Sequence, residues 1–252
     1  MQNNFVTDAI NLKSYNLSES DKIIVMYSKE KGLIRGVAKG VKKPKSKLGA
    51  RMDMLVANTI MLHKGRNLDT ICQAEVLNTF RKTRTDLDKI FYSSYVTEVV
   101  SNFGLEEDPS SSVVYDILYK TLDAISESCS KVEVLLAVIK FQLKMMHESG
   151  FSIEFDRCLH CHNKVEEESM FFVSNLGGIV CHECVGKIPY NKKQLPYKLR
   201  DFFKQMLVND FDYKGEFEQK ANEKVCVVTF ELLKDYISQK SPKKFKSTSL
   251  FF

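Results

Sequence analysis

The chain has 252 residues, 44% of them hydrophobic, and its 37 Lys and Arg against 32 Asp and Glu give a net charge of +5. That much apolar material excludes a wholly disordered chain, no apolar run is long enough to span a bilayer, and seven cysteines are too few for a disulfide-dense scaffold. The charge is uneven: residues 1–80 carry 13 basic against 7 acidic side chains, which leaves the rest of the chain near −1.

The opening MQNNFVTDAI has neither a basic n-region nor an apolar h-region. A reducing cytoplasmic setting is therefore the expectation. Residues 6–15, 22–27, 33–38, 54–63 and 68–76 read as five short strands separated by polar turns. Five strands with one long loop in this length suit a small barrel of the OB type. The predicted fold class is α+β multidomain: an N-terminal OB-fold over residues 1–80 and a helical domain over 81–252.

The long loop is the charged part of the barrel. Residues 31–52 hold Lys31, Arg35, Lys39, Lys42, Lys43, Lys45, Lys47 and Arg51 and no acidic side chain. Gly32, Gly36, Gly40, Pro44 and Gly49 break any long helix, so a bendable loop is expected. An acid-free run of cations repels itself, which favours a polyanion partner over a merely solvated loop. Nucleic acid comes first and an anionic membrane surface second, because no amphipathic helix accompanies the run. The barrel has few aromatics for base stacking; Phe5, Tyr15 and Tyr27 are expected to fill its core. Binding should then be backbone-driven and tolerant of sequence.

Helical periodicity begins after Arg81. Leu87, Ile90, Phe91, Ser94, Tyr95, Val99 and Phe103 recur on one helix, with Asp86 at its start and Gly104 at its end. Val114, Ile117, Leu118, Leu122 and Ile125 mark a second helix. A third, ended by Gly150, carries Val134, Leu135, Val138, Ile139, Phe141, Met145 and Met146. It is apolar on most sides, so it belongs at the centre of a bundle with its methionines in the core. Helical spacing resumes at Leu199, Phe202, Phe203, Met206 and Leu207, and again at Phe230, Leu233, Tyr236 and Ile237. Residues 240–252 read as a mobile, lysine-rich tail.

Between the third and fourth helices lies the most specific motif. Cys158, Cys161, Cys181 and Cys184 form C-x2-C-x19-C-x2-C, two knuckles joined by enough chain for a hairpin. Each knuckle supplies two corners of a tetrahedron, and four thiolates close the shell of a zinc ion. No open position is left for water or substrate, so the module, residues 155–188, points to structural Zn2+ rather than to a zinc enzyme. A redox dithiol needs only one such pair and a βαβ setting. His160, His162 and His182 are spare imidazoles beside a complete site, and His162 and Val185 stand where glycine commonly follows the second cysteine. Cys72, Cys129 and Cys226 are expected to be small core residues.

Enzyme signatures are missing: no P-loop, no H-E-x-x-H, no G-x-S-x-G and no zinc-deaminase pattern. The reading is a binding protein, not an enzyme, with no catalytic residues. Three stretches further resemble the bacterial DNA repair protein RecO family: NLSESDKIIVMYSKEKG at 16–32, GLIRGVAKGVKKPKSKLGAR at 32–51, and the cysteine module. The resemblance extends over nearly the whole chain. It implies a recombination mediator that binds single- and double-stranded DNA, anneals complementary strands, including those coated with single-stranded-DNA-binding protein (SSB), and acts with RecR to load RecA on SSB-coated DNA. It implies DNA contacts at Arg35, Lys39, Lys42, Lys43, Lys45, Lys47 and Arg51, zinc on Cys158, Cys161, Cys181 and Cys184, and no membrane partner. A zinc-ribbon RNA-binding or transcription factor is the main alternative; a metal-dependent nuclease is the second.

Overall fold

The structure, a computed structural model, describes residues 4–166, 169–208, 210–211 and 221–247. They gather into two compact units, residues 4–127 with 245–247 and residues 128–244.

The first unit is built on five strands: β1 (Asn4–Asn16), β2 (Lys22–Ser28), β3 (Gly32–Ala38), β4 (Ala57–His63) and β5 (Asp69–Asn78). They close into a barrel in the order β1-β2-β3-β5-β4. β1 pairs antiparallel with both β2 and β4. The barrel shuts through only two parallel pairings, Gly36 with Asp69 and Val37 with Thr70. Alternation sends Ala9, Ile24, Met26, Ile60, Leu62 and Ile71 inward to one apolar cluster. The expected fourth strand was to begin at Met54. It begins at Ala57 because Leu55 takes a left-handed backbone, φ 61°, that no strand can continue through.

Two helices complete this unit. α1 (Leu87–Phe103) starts where the Asp86 side chain accepts the Lys89 N–H and ends at Gly104. α2 (Ser111–Glu127) packs its apolar face on α1 and the barrel. The segment between them adds to the free edge of β3: Leu33 donates to the Leu105 carbonyl at 2.8 Å, and Glu107 donates to Lys31 at 2.8 Å. Tyr27 donates its hydroxyl to Asp108 at 2.8 Å across the same seam. Gly32 makes this approach possible. Its φ is +69°, and a Cβ there would collide with the Leu105 carbonyl oxygen.

Residues expected to be a mobile tail return to α1. Both oxygens of Glu98 accept the Lys246 N–H, at 3.0 and 3.2 Å, and one accepts the Ser247 N–H at 2.8 Å. The Phe245 ring lies 5.9 Å from that of Tyr95. Burial opposes the charge on Glu98, but these donors outweigh it and hold the carboxyl below its usual range. Residues 248–252 of the expected tail lie outside the described residues.

The second unit centres on α3 (Lys131–Glu148), capped by Ser130 and buried along most of its surface, Met145 and Met146 included. The cysteine module follows as β6 (Ser169–Val173), β7 (Gly178–Val180) and the one-turn α4 (His182–Val185). β8 (Lys193–Pro196) pairs with β6 to make a three-stranded sheet in the order β7-β6-β8. α5 (Tyr197–Val208) and α6 (Glu223–Lys240) pack on α3. Cys226 is buried on α6, as expected, whereas Cys72 and Cys129 are exposed. Cys72 falls on an outward position of β5 and Cys129 in the turn before α3, so neither reaches a core. Among the described residues no helix is long and apolar enough to cross a membrane.

Gly32→Ala should destabilise the chain by roughly 1–3 kcal/mol, since it adds both left-handed strain and a clash with backbone. Denaturant unfolding checks this; a change below about 0.5 kcal/mol would mean that the β3 edge is not held as described.

Candidate nucleic-acid interface and metal centre

The cation-rich segment is not a free loop. Val41, Leu48 and Met52 point into the barrel cluster and are buried there. Gly49–Met52 forms a 3-10 turn against the barrel end. Polar bonds fix the rest. Gly40 donates to Asp21 Oδ1 at 2.7 Å, Lys42 to the Ser20 carbonyl at 3.1 Å, and Ser46 to Lys43 at 2.9 Å. Buried Asn11 donates its amide to the carbonyls of Arg51 and Asp53, both at 2.8 Å, and Asn58 adds a bond to Arg51 at 2.9 Å. The expectation of a bendable loop is thus corrected. Apolar residues placed at 41, 48 and 52 within a run of lysines pin it to the core.

All seven cations expected to contact DNA are exposed. Arg35 stands on β3 and is ion-paired with Glu106 at 3.1 Å. Neighbouring Lys31 pairs with Glu107 at 3.4 Å, so the α1–α2 connection lays an acidic border along this side. Among the described residues, Lys39, Lys42, Lys43, Lys45, Lys47 and Arg51 form no ion pair. Lys42 Nζ instead donates to the Ser18 carbonyl at 2.9 Å, Arg51 donates to Lys47, and Lys39 lies close enough to Asp21 to favour its charge. The six share one pinned segment and form a cationic surface with little internal neutralisation.

Of the three barrel aromatics expected inside, Tyr27 is fully buried and Phe5 packs against the core cluster. Tyr15 does not follow them: its side chain is 55% exposed at the end of β1. The one-residue bulge between Asn11 and Lys13 resets the alternation and turns Tyr15 outward.

The second site is the cysteine module. The Sγ atoms of Cys158, Cys161, Cys181 and Cys184 all lie within 4.8 Å of one another, with Cys161 and Cys181 at 3.9 Å. A tetrahedral zinc with bonds of about 2.3 Å requires sulfurs about 3.8 Å apart, so these four fit such an ion. Backbone N–H groups point at the sulfur of Cys158, from His160 and from Cys181, each at 3.4 Å. Burial raises the Cys158 pKa, but these donors and Cys161 bring it down to about 6. Burial pushes Cys184 up to about 12 and raises Cys181. The Cys158 thiolate thus forms readily while Cys181 and Cys184 resist, and a bound cation would favour deprotonation of both. His162 takes a left-handed φ of 62°, the conformation that explains why glycine suits this position.

The knuckles are fixed within their unit. Arg200 donates to the Val165 carbonyl at 2.7 Å, Lys204 pairs with Asp156, and the Tyr236 hydroxyl donates to Phe151 at 2.9 Å. These supports were not legible in the sequence, since nothing local links Arg200 on α5 to Val165.

The comparisons agree over both parts of the chain. Residues 1–80 match the family described as Recombination protein O N terminal, and residues 84–249 match Recombination protein O C terminal. A DNA repair protein RecO of Desulforamulus reducens is 30% identical over 241 residues, covering 96% of this chain and 91% of that protein. One of Pelotomaculum thermopropionicum is 34% identical over 184 residues, covering 72% and 68%. One of Clostridium novyi is 25% identical over 251 residues, covering 98% and 93%.

The Asp21–Gly40 bond carries a pH prediction. The Gly40 N–H and the Ser20 hydroxyl hold the Asp21 carboxyl below its ordinary value of 3.8. A depressed folded pKa means that the bond is fully present above 3.8 and is lost as pH falls through the lower, folded value. The Gly40 amide resonance should therefore stay constant from neutral pH down to about pH 4 and move only below it. Movement centred at or above the ordinary value would contradict the bond.

Proposed function

Since this chain belongs to the RecO family of recombination and DNA repair proteins, we propose that it acts in recombinational repair as a DNA-binding mediator. The observation that carries the reading is the pinned row of six exposed cations without ion-pair partners among the described residues. Such a row neutralises backbone phosphates whatever the base sequence. It lowers the repulsion between two strands brought together, and annealing needs no nucleotide hydrolysis. We assign this work to residues 1–80 and the scaffolding to residues 81–252, with 155–188 as the zinc module.

In this reading Lys39, Lys42, Lys43, Lys45, Lys47 and Arg51 meet phosphate directly, on single- or double-stranded DNA. Arg35 joins them after exchanging Glu106 for phosphate, an exposed pair worth no more than about 1 kcal/mol. Complementary strands coated with SSB are the proposed substrate, RecR is the proposed partner, and RecA loading is the proposed outcome. Cys158, Cys161, Cys181 and Cys184 would hold a Zn2+ that supplies fold stability and no chemistry.

Lys43→Glu with Lys45→Glu should weaken binding equally for unrelated sequences. Wild-type binding to single strands should fall with salt at a slope near −4 if about six phosphates are neutralised, and the double variant should lose about 1.4 of that slope. Strand annealing measured with and without SSB across a salt series checks the function. Unchanged affinity and slope in the variant would remove the segment from the interface. For the metal, chelation should lower the melting temperature and loosen residues 158–184 first; a melting curve that a strong chelator leaves unaltered would rule out a structural ion.

A further inference from the structure

Tyr15 is unexplained by phosphate binding. It is a large aromatic side chain, 55% exposed, that makes no hydrogen bond or ring contact among the described residues. Its neighbours are fixed by strand register. Tyr15 lies opposite Ile23 on β2, and Ile23 lies opposite Val37 on β3. Opposed residues share a face. That face is the outer one, because Ile24 and Ala38, next along each strand, point into the core cluster. Ile23 and Val37 are both only half-buried. Three strands therefore carry a continuous apolar strip about 10 Å across, ending in an open aromatic ring.

The strip is flanked by cations. Arg35 is two residues before Val37 on the same strand, and so on the same face. Lys39 follows just past the end of β3, where the pinned cationic segment begins. A flat apolar surface edged by positive charge matches one chemistry: an unstacked base joined to its phosphate. Neither the ring nor the aliphatic pair gains from a duplex, whose bases are already stacked.

We propose that Tyr15, with Ile23 and Val37, is a base-stacking platform that makes this chain prefer unpaired strands. The proposal rests on the nucleic-acid reading above and adds the part of the strand that the cations do not recognise. Phosphate contacts set the salt dependence, while the strip sets the difference between a single strand and a duplex.

The test compares wild type, Tyr15→Ala and Tyr15→Phe with three labelled probes: a thymidine oligonucleotide, an abasic deoxyribose-phosphate strand of equal length, and a duplex. Wild type should bind the thymidine strand more tightly than the abasic one. Tyr15→Ala should weaken thymidine-strand binding about 5- to 150-fold, the range of one lost stacking contact. Its binding to the abasic strand and duplex, and its salt slope, should not change. Tyr15→Phe should keep most of the affinity. If Tyr15→Ala binds the thymidine strand as tightly as wild type, or weakens all three probes alike, the platform is overturned. A wild-type chain that binds none of the probes overturns the nucleic-acid reading itself, and the platform with it.

Discussion

Burial of Val41, Leu48 and Met52 beneath a run of cations is the contact on which the rest of the first unit's chemistry depends. Like charges on a flexible segment spread apart, and each fixed backbone residue costs on the order of 1–2 kcal/mol of conformational entropy. Three apolar side chains, each worth about 1.5–3 kcal/mol when buried, oppose both tendencies. The amides of Asn11 and Asn58 hold the same segment by its carbonyls, which would otherwise have to be solvated at the barrel end. The cations are thus positioned before any ligand arrives, so less of the binding free energy goes into ordering them.

What the sequence made legible was local, and what it concealed depended on pairing at a distance. The five strands follow from short β-rich runs and the polar turns between them. α1 follows from its apolar spacing, from Asp86 and from Gly104. The four cysteines are legible because ligand chemistry fixes their spacing within each knuckle. The pegs of the cationic segment carried a signal, apolar residues at 41, 48 and 52, but only the barrel's interior gives them a destination. Tyr15 was expected inside because aromatics fill small cores; a single bulge reversed it, and bulges leave little trace in sequence. Arg35 reads in the sequence as one of an acid-free run of cations. Its partner Glu106 is brought to it by the α1–α2 connection, which no local pattern joins to β3. The Glu98 bonds that hold residues 246 and 247 are likewise invisible to composition, which reads those residues as tail.

Two kinds of site therefore coexist in one chain with opposite surroundings. The sulfur cluster is largely buried, its ligands converge on one point, and its walls are fixed by Arg200, Lys204 and Tyr236. Such a site favours holding an ion over exchanging it. The cationic surface is the reverse: exposed and spread along a segment. A polymer with repeating charge is the ligand that such a surface suits, and the acidic border at Glu106 and Glu107 limits it on one side.

The central claim is that the cations are held in place before any strand binds, and amide hydrogen exchange in the free protein measures this directly. Lys42, Ser46, Met52 and Asp53 all donate their backbone N–H groups within this region. The account predicts that these four exchange far more slowly than in an unstructured peptide, with protection approaching that of the barrel strands. Exchange at the unstructured rate, with protection appearing only after an oligonucleotide is added, would contradict it.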